Sequence, residues 1–375
     1  MSKSFNFGNY DIVLITDEKE RLYYLGFHST AGYVVVTKTE VTFVVDNRYL
    51  KAAERALTKK GVKVILGSDY SAFKAIAEDV GAKRVGIDFT VTTISEYDNL
   101  KSLGFDYEDI SGELKTMQSV KTADQLKSIK RACEIAEKSW LQTLSVIREG
   151  VTENEVAATL EYNFRKNGAS GTSFDTIVAF GKNAAVPHHQ TGETKLKKNE
   201  CVLMDFGCLY NGYCSDMTRT MFYGTPDEKF EKAYLAVLVA HKEAAEKIKA
   251  GDTGRQADAY AREVLTSLGY GKYFTHSLGH GIGVNIHEFP YLSPKGEAAL
   301  TDGMVFSDEP GVYIDGKFGI RIEDSCYMAD GKCRSFMKDD KSLVIIGEEG
   351  SVKNKKFCKF FAFALVAAEE ITPRS

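Results

Sequence analysis

The run 201–222, CVLMDFGCLYNGYCSDMTRTMF, decides how this chain is read. It opens as an apolar strand holding one acid, Asp205. A carboxylate among apolar neighbours requires a partner. Asn211-Gly212 supply a two-residue hairpin turn, and the return strand carries Asp216. If Tyr210 opposes Tyr213, then Asp216 faces Gly207, and Asp205 lies two residues from Gly207 on the same face. The two carboxylates become diagonal neighbours, about 7–8 Å apart at Cα. Like charges that close repel unless one is protonated or a cation joins them.

Toward the C-terminus, 303–328 (GMVFSDEPGVYIDGKFGIRIEDSCYM) repeats the arrangement with Glu309 and Glu323 around Asp315-Gly316. A two-residue loop would put these glutamates on opposite faces. A three-residue loop, 315–317, opposes 314 with 318 and so 309 with 323, which predicts an odd-numbered loop. Arg321 then shares the face of Glu323, while Ile320 and Ile322 turn to the core. Between the two hairpins stands YFTHSLGHGIGVNIHEFP, 273–290, with His276, His280 and His287. Gly279, Gly281 and Gly283 argue against a helix there and for strands that approach closely. Four carboxylates and an imidazole form an oxygen-rich donor set suited to a pair of divalent cations such as Mn, Co, Fe or Zn. Such a pair acidifies water and polarises a carbonyl, which is hydrolytic chemistry without a protein nucleophile. No G-x-S-x-G elbow, Walker loop or H-E-x-x-H competes with this reading, and GHGIG opens no convincing βαβ unit.

The rest of the chain frames this segment. Residues 1 to about 112 alternate strands (11–15, 32–37, 41–45, 62–66, 84–87) with helices (49–59, 71–80, 95–103), an α/β layer domain. The polar stretch 111–122 reads as a boundary. Thr122 with Gln125, and Thr152 with Glu155, have capping-box spacing and open two helices that Gly150 and Gly168 close. Further helices are expected at 226–249 and 257–268 and a last strand at 343–346. The expected domains are therefore 1–118, 119–346 and a tail, 347–375, of unassigned role. Lys+Arg 48 against Asp+Glu 52 leaves a net charge of −4, with no basic excess for nucleic acid. The longest apolar run, 360–368, is nine residues, short of a bilayer span. With no signal-peptide pattern, no CxxC pair and seven unpatterned cysteines, the expectation is a reducing, cytoplasmic setting.

The stretches SFDTIVAFGKNAAVPHH (173–189), LMDFG (203–207), GYCSDMTRT (212–220), HSLGHGIGVNIHEFP (276–290), GMVFSDEPG (303–311) and GIRIED (319–324) resemble the pita-bread-fold metallopeptidases. That family includes Xaa-Pro dipeptidase (prolidase), aminopeptidase P and methionine aminopeptidase. YYLGFHSTAGYVVV (23–36) and FVVDNRYLKAAERAL (43–57) look like its creatinase-type N-terminal domain. The fold class implied is α+β, a pita-bread C-terminal domain beside a smaller α/β N-terminal domain. The resemblance implies that Asp205, Asp216, His280, Glu309 and Glu323 hold two divalent metal ions, manganese foremost and Co, Zn or Fe compatible. It implies that Glu309 also moves a proton, that His188 lies near the leaving group, and that His287 contacts the scissile carbonyl. His276 takes a substrate-side or supporting role, and Arg321 lines the pocket. The activity implied is hydrolysis of the bond between an N-terminal residue and proline by a metal-activated water, in a homodimer acting on peptides with proline second. Dipeptidase and aminopeptidase both remain open. So do an aminopeptidase without proline specificity and a non-catalytic peptide-binding module on the same fold. Ser307-Asp308 depart from the family's usual Thr-Ile before Glu309 and put a charge beside a ligand.

Overall fold

A computed structural model describes residues 5–347 and 350–356, and the chain divides into two compact units, 1–118 and 119–375. In the first unit, β1 (Ile12–Ile15), α1 (Glu18–Leu25), β2 (Tyr33–Val36), β3 (Val41–Val45), α2 (Leu50–Leu57), β4 (Val62–Leu66), α3 (Ser71–Asp79), β5 (Arg84–Ile87), α4 (Ile94–Lys101), β6 (Asp106–Asp109) and α5 (Ser111–Ser119) follow in order. The six strands form one mixed sheet, β4-β3-β2-β1-β5-β6. Its inner strands β1, β2 and β3 read as nearly continuous apolar runs because both faces are covered. Val13, Ile15, Val34 and Phe43 pack with Ala53 and Leu57 of α2 and Leu114 of α5. Ile12, Leu14, Val35 and Val44 pack on the other side with Phe73 of α3 and Leu100 of α4.

Two elements here differ from the sequence expectation. α1, EKERLYYL, has no apolar stripe; it is started by Asp17, whose carboxylate accepts from the amides of Lys19 and Glu20, and it buries Glu20 and Arg21. β6, DYED, is an edge strand with little burial to mark it. The segment 111–122, expected as a boundary, contains the division between the two units and is helical through Ser119, anchored by Leu114.

The second unit begins with α6 (Ala123–Thr143) and α7 (Glu153–Lys166), both opened by the expected capping boxes. Its later pair is α8 (Glu228–Lys247) and α9 (Gly254–Ser267); α9 starts three residues ahead of its apolar pattern because Thr253 and Gln256 form a third box. One five-stranded sheet runs β21 (Val352–Lys355), β20 (Leu343–Ile346), β12 (Met217–Tyr223), β9 (Glu200–Phe206), β8 (Ile177–Phe180). The other runs β14 (Glu288–Leu292), β13 (Gly279–Gly281), β15 (Val305–Asp308), β18 (Asp324–Ala329), β19 (Lys332–Ser335). Smaller sheets join β11 (Tyr213–Cys214), β10 (Cys208–Tyr210) and β7 (Gly171–Thr172), and pair β16 (Gly311–Ile314) with β17 (Phe318–Arg321). Ile320, Ile322, Phe306 and Leu203 enter one core with the apolar faces of α8 and α9. Within the tail, Val352–Lys355 pairs antiparallel with β20 and extends the sheet. The apolar run 360–368 lies outside the described residues. Among the described residues no helix is long and apolar enough to cross a membrane.

Candidate metal centre

The ladder between β9 and β12 delivers the first two acids. Tyr210 opposes Tyr213 and Thr218 opposes Asp205, so one register runs through the whole hairpin. Gly207 makes this continuity possible: a Cβ there would stand 1.9 Å from the Ser215 carbonyl oxygen, a distance no side chain tolerates. Asp216 follows in the gap before β12, its amide donating to Ser325 Oγ at 3.0 Å. In the other ribbon, Ile314 opposes Phe318 across the three-residue loop, and Asp308 opposes Asp324. The count matches on both sides, so Glu309 and Glu323 stand opposite each other where the ribbon passes between sheets. There the Glu309 amide donates to Leu278 O and the Glu323 amide to Thr218 O. His280 comes from β13, which lies against β15 because Gly279 has no side chain; a Cβ would meet Ser307 O at 1.9 Å.

Donor atoms of Asp216, His280 and Glu323 lie within 4.8 Å of one another and could hold a metal ion. His280 Nε2 is 3.3 Å from Glu309 Oε1 and 3.6 Å from Asp216 Oδ2. Its Nδ1–H donates to Gly281 O at 3.1 Å, which leaves Nε2 as a lone pair. Burial disfavours a second proton on this ring. A lone pair facing two carboxylate oxygens is repulsive unless a cation sits among them. Burial, first, and the neighbouring carboxylates push Asp216 and Glu323 well above the usual range. Burial raises Glu309 to about 7. Carboxylate oxygens with one neutral imidazole form the donor set of a hard or borderline dication, so the residues present fit one.

Arg321 organises the acids. Buried beneath them, it donates from Nη2 to Asp205 Oδ2 at 2.6 Å, from Nε to Thr218 Oγ1 at 3.0 Å, and from Nη1 to the Tyr313 hydroxyl at 2.6 Å. Thr218 in turn donates to Glu323 Oε2 at 2.5 Å. Tyr313, having accepted from Arg321, donates to His276 Nε2 at 2.8 Å, and His276 Nδ1–H donates to Ser277 O at 2.8 Å. Both nitrogens of His276 are thus occupied. Burial and then the Arg321 charge hold it down at about 4, neutral. α9 fixes the backbone under it, Arg262 donating to Phe274 O and His276 O while Asp258 accepts from the Leu278 amide.

All nine residues singled out from sequence line one cleft of about 960 Å³: Asp205, Asp216, His280, Glu309, Glu323, Arg321, His188, His276 and His287. His287 stands over His280, ring centroids 4.2 Å apart, and His188 is exposed on the loop after β8. That loop is organised by fully buried Glu153, which accepts from the Phe180 and Gly192 amides, Asn183 Nδ2 and His189 Nε2.

Comparison with known proteins agrees with this geometry. A model of metallopeptidase family M24 matches residues 127–330, and one of the creatinase/prolidase N-terminal domain matches residues 4–120. The chain belongs to metallopeptidase family M24. This M24 chain is 36% identical over 319 residues to a Xaa-Pro dipeptidase of Pyrococcus furiosus, covering 84% of itself and 89% of that protein. The structure of an Xaa-Pro dipeptidase from Bacillus anthracis superposes with a TM-score of 0.87 at 37% identity, covering 90% of this chain and 95% of that one. An X-Pro aminopeptidase from Thermotoga maritima does so with a TM-score of 0.85 at 33% identity, covering 90% and 98%. The two-domain α+β architecture, a pita-bread domain after a creatinase-type one, is that of these relatives, and the enzyme is a metallopeptidase.

Sequence reasoning missed Tyr313, Thr218 and Ser307, whose hydroxyls bind Arg321, Glu323 and Glu309. Strand alternation does put Tyr313, which opposes Gly319, on the same face as Arg321 two residues along, yet an isolated hydroxyl carries no signal of its partner. Glu153, in the first turn of α7, carries no local sequence signal of its four partners.

Proposed function

We propose that this M24 enzyme is an exopeptidase that releases an N-terminal residue from proline. The supporting observation is the convergence of four carboxylates and one neutral imidazole at the floor of a cleft rimmed by two further histidines. Asp205, Asp216, His280, Glu309 and Glu323 are the residues to hold two divalent cations, manganese foremost. Cations bound there would acidify a water and polarise the substrate carbonyl.

The chain's own groups account for the remaining steps. Ser307 Oγ donates to Glu309 Oε1 at 2.9 Å, leaving Oε2 as the oxygen that takes a proton from the attacking water. His287 offers a ring N–H to the oxyanion that develops on the scissile carbonyl. His188 delivers a proton to the departing proline nitrogen. His276, with both nitrogens spent, acts through Tyr313 to orient Arg321, which holds Asp205 and shapes the proline side of the cleft. The enzyme is read as a cytoplasmic homodimer.

The test compares Ala-Pro, Ala-Pro-Ala and Ala-Ala with added Mn²⁺ and with chelator. Proline peptides should be cleaved only with metal, and Asp216→Ala or Glu323→Ala should abolish cleavage. Undiminished turnover by either variant overturns the ligand assignment. Equal cleavage of Ala-Ala overturns the proline specificity, and the better of the two proline substrates separates dipeptidase from aminopeptidase.

A further inference from the structure

Asp308, the charge that departs from the family pattern, points away from the cleft. Its side chain is fully buried, and among the described residues neither carboxylate oxygen receives a hydrogen bond. What faces it is His241 of α8, itself buried. His241 Nδ1 donates to the Asp308 carbonyl oxygen at 3.2 Å and lies 3.2 Å from Oδ2 of the same residue. Its Nε2 is 3.6 Å from Asp324 Oδ2. With a carboxylate facing each nitrogen, Asp308 at 3.2 Å and Asp324 at 3.6 Å, the ring is held as an imidazolium against its burial. Asp324 also binds Arg219 at 2.8 Å and Lys341 at 2.7 Å, and Arg219 holds Asp339 as well. Three aspartates and three cations therefore balance behind the metal-ligand strands. His241 is the one member that spans β15 and β18.

The place it spans matters. Asp308 opposes Asp324 at the last rung of the β15–β18 ladder. One step on, the Glu309 and Glu323 amides leave the ladder for Leu278 and Thr218, and the Ile322 amide reaches Pro310 O only at 3.4 Å, so neither glutamate's amide bonds across to the other glutamate's strand. We infer that His241, as an imidazolium, is a positioning residue of the metal centre: it ties Asp308 to Asp324 and so sets the spacing of the Glu309 and Glu323 carboxylates. The inference rests on those glutamates being ligands.

A double-mutant cycle on the full chain tests it, read by Mn²⁺ titration calorimetry, by kcat and KM on the proline peptide, and by melting of the metal-free protein. His241→Leu and Asp308→Ile should each weaken Mn²⁺ binding and lower kcat by about ten-fold, the usual cost of losing a group that orients a ligand, with KM within about two-fold. Together, His241→Leu/Asp308→Ile should return both quantities to within about three-fold of the parent, because the charge leaves with its partner. A folded His241→Leu protein that binds Mn²⁺ like the parent overturns the inference. So does a double variant as weak as the singles. If His241→Leu does not fold, Asp308→Asn, which keeps the shape, should show the same loss, and parent-like binding by it refutes the clamp. Glu323→Ala serves as control: if it binds Mn²⁺ like the parent, the ligand reading fails, whatever His241 does.

Discussion

Replacing Glu309 by Gln should make the metal-free protein more stable while destroying its activity. Burial holds the Glu309 carboxyl at about 7 against an ordinary 4.5. Below pH 4.5 it is protonated in both folded and unfolded chains and costs nothing. As pH rises, the unfolded chain ionises first, so the fold loses stability progressively up to pH 7 and keeps the full penalty above it. At about 1.4 kcal/mol per pH unit of separation, the penalty is about 3 kcal/mol. Asp216 and Glu323, raised more, add in the same direction at higher pH. The amide has no proton to lose. In calorimetric melts with chelator, Glu309→Gln should therefore exceed the parent at pH 8 by roughly 6–12 °C, using about 2–4 °C per kcal/mol for a unit of this size. Near pH 5 the gap should shrink below about 1 kcal/mol. Added Mn²⁺ should reverse the order, since the parent gains more by mass action. A chelated variant no more stable than the chelated parent at pH 8 refutes the picture of a strained acid cluster awaiting a cation.

Other expectations are as direct. Tyr313→Phe removes the hydroxyl between Arg321 and His276 and strands a buried acceptor, about 1–3 kcal/mol; kcat/KM should fall by about ten-fold or more while Mn²⁺ binding stays at the parent level, and unchanged kinetics would remove Tyr313 from the site. In the first unit, Glu20 is buried against Asp88 and raised to about 9, burial being the larger cause. Because its folded value lies above its unfolded one, stability of this unit should decline as pH rises from 4.5 to 9; melts of Glu20→Gln should lack that slope, and an equal slope in both proteins contradicts the shift.

Much of the site was legible in the sequence because strand periodicity is a local rule. Once Asn211-Gly212 sets one turn and 315–317 the other, the parity of two decides which residues share a face, and Asp205, Asp216, Glu309, Glu323 and Arg321 follow. Helices opened by Thr122 and Thr152 were equally plain, since a capping box lies within four residues. α1 and β6 were not, because one is charged through its first four residues and the other is an exposed edge.

What the amino-acid order determined alone is thus which acids and histidines are the candidate ligands, the faces they share and the apolar runs around them. Tertiary structure alone decided their partners. That Arg321 reaches Asp205 across 116 residues, that Tyr313 spends the second nitrogen of His276, and that His241 answers the charge of Asp308 are contacts between segments distant in sequence. No periodicity encodes them. They arise because a buried polar group must find its complement wherever the packed strands and helices happen to bring one.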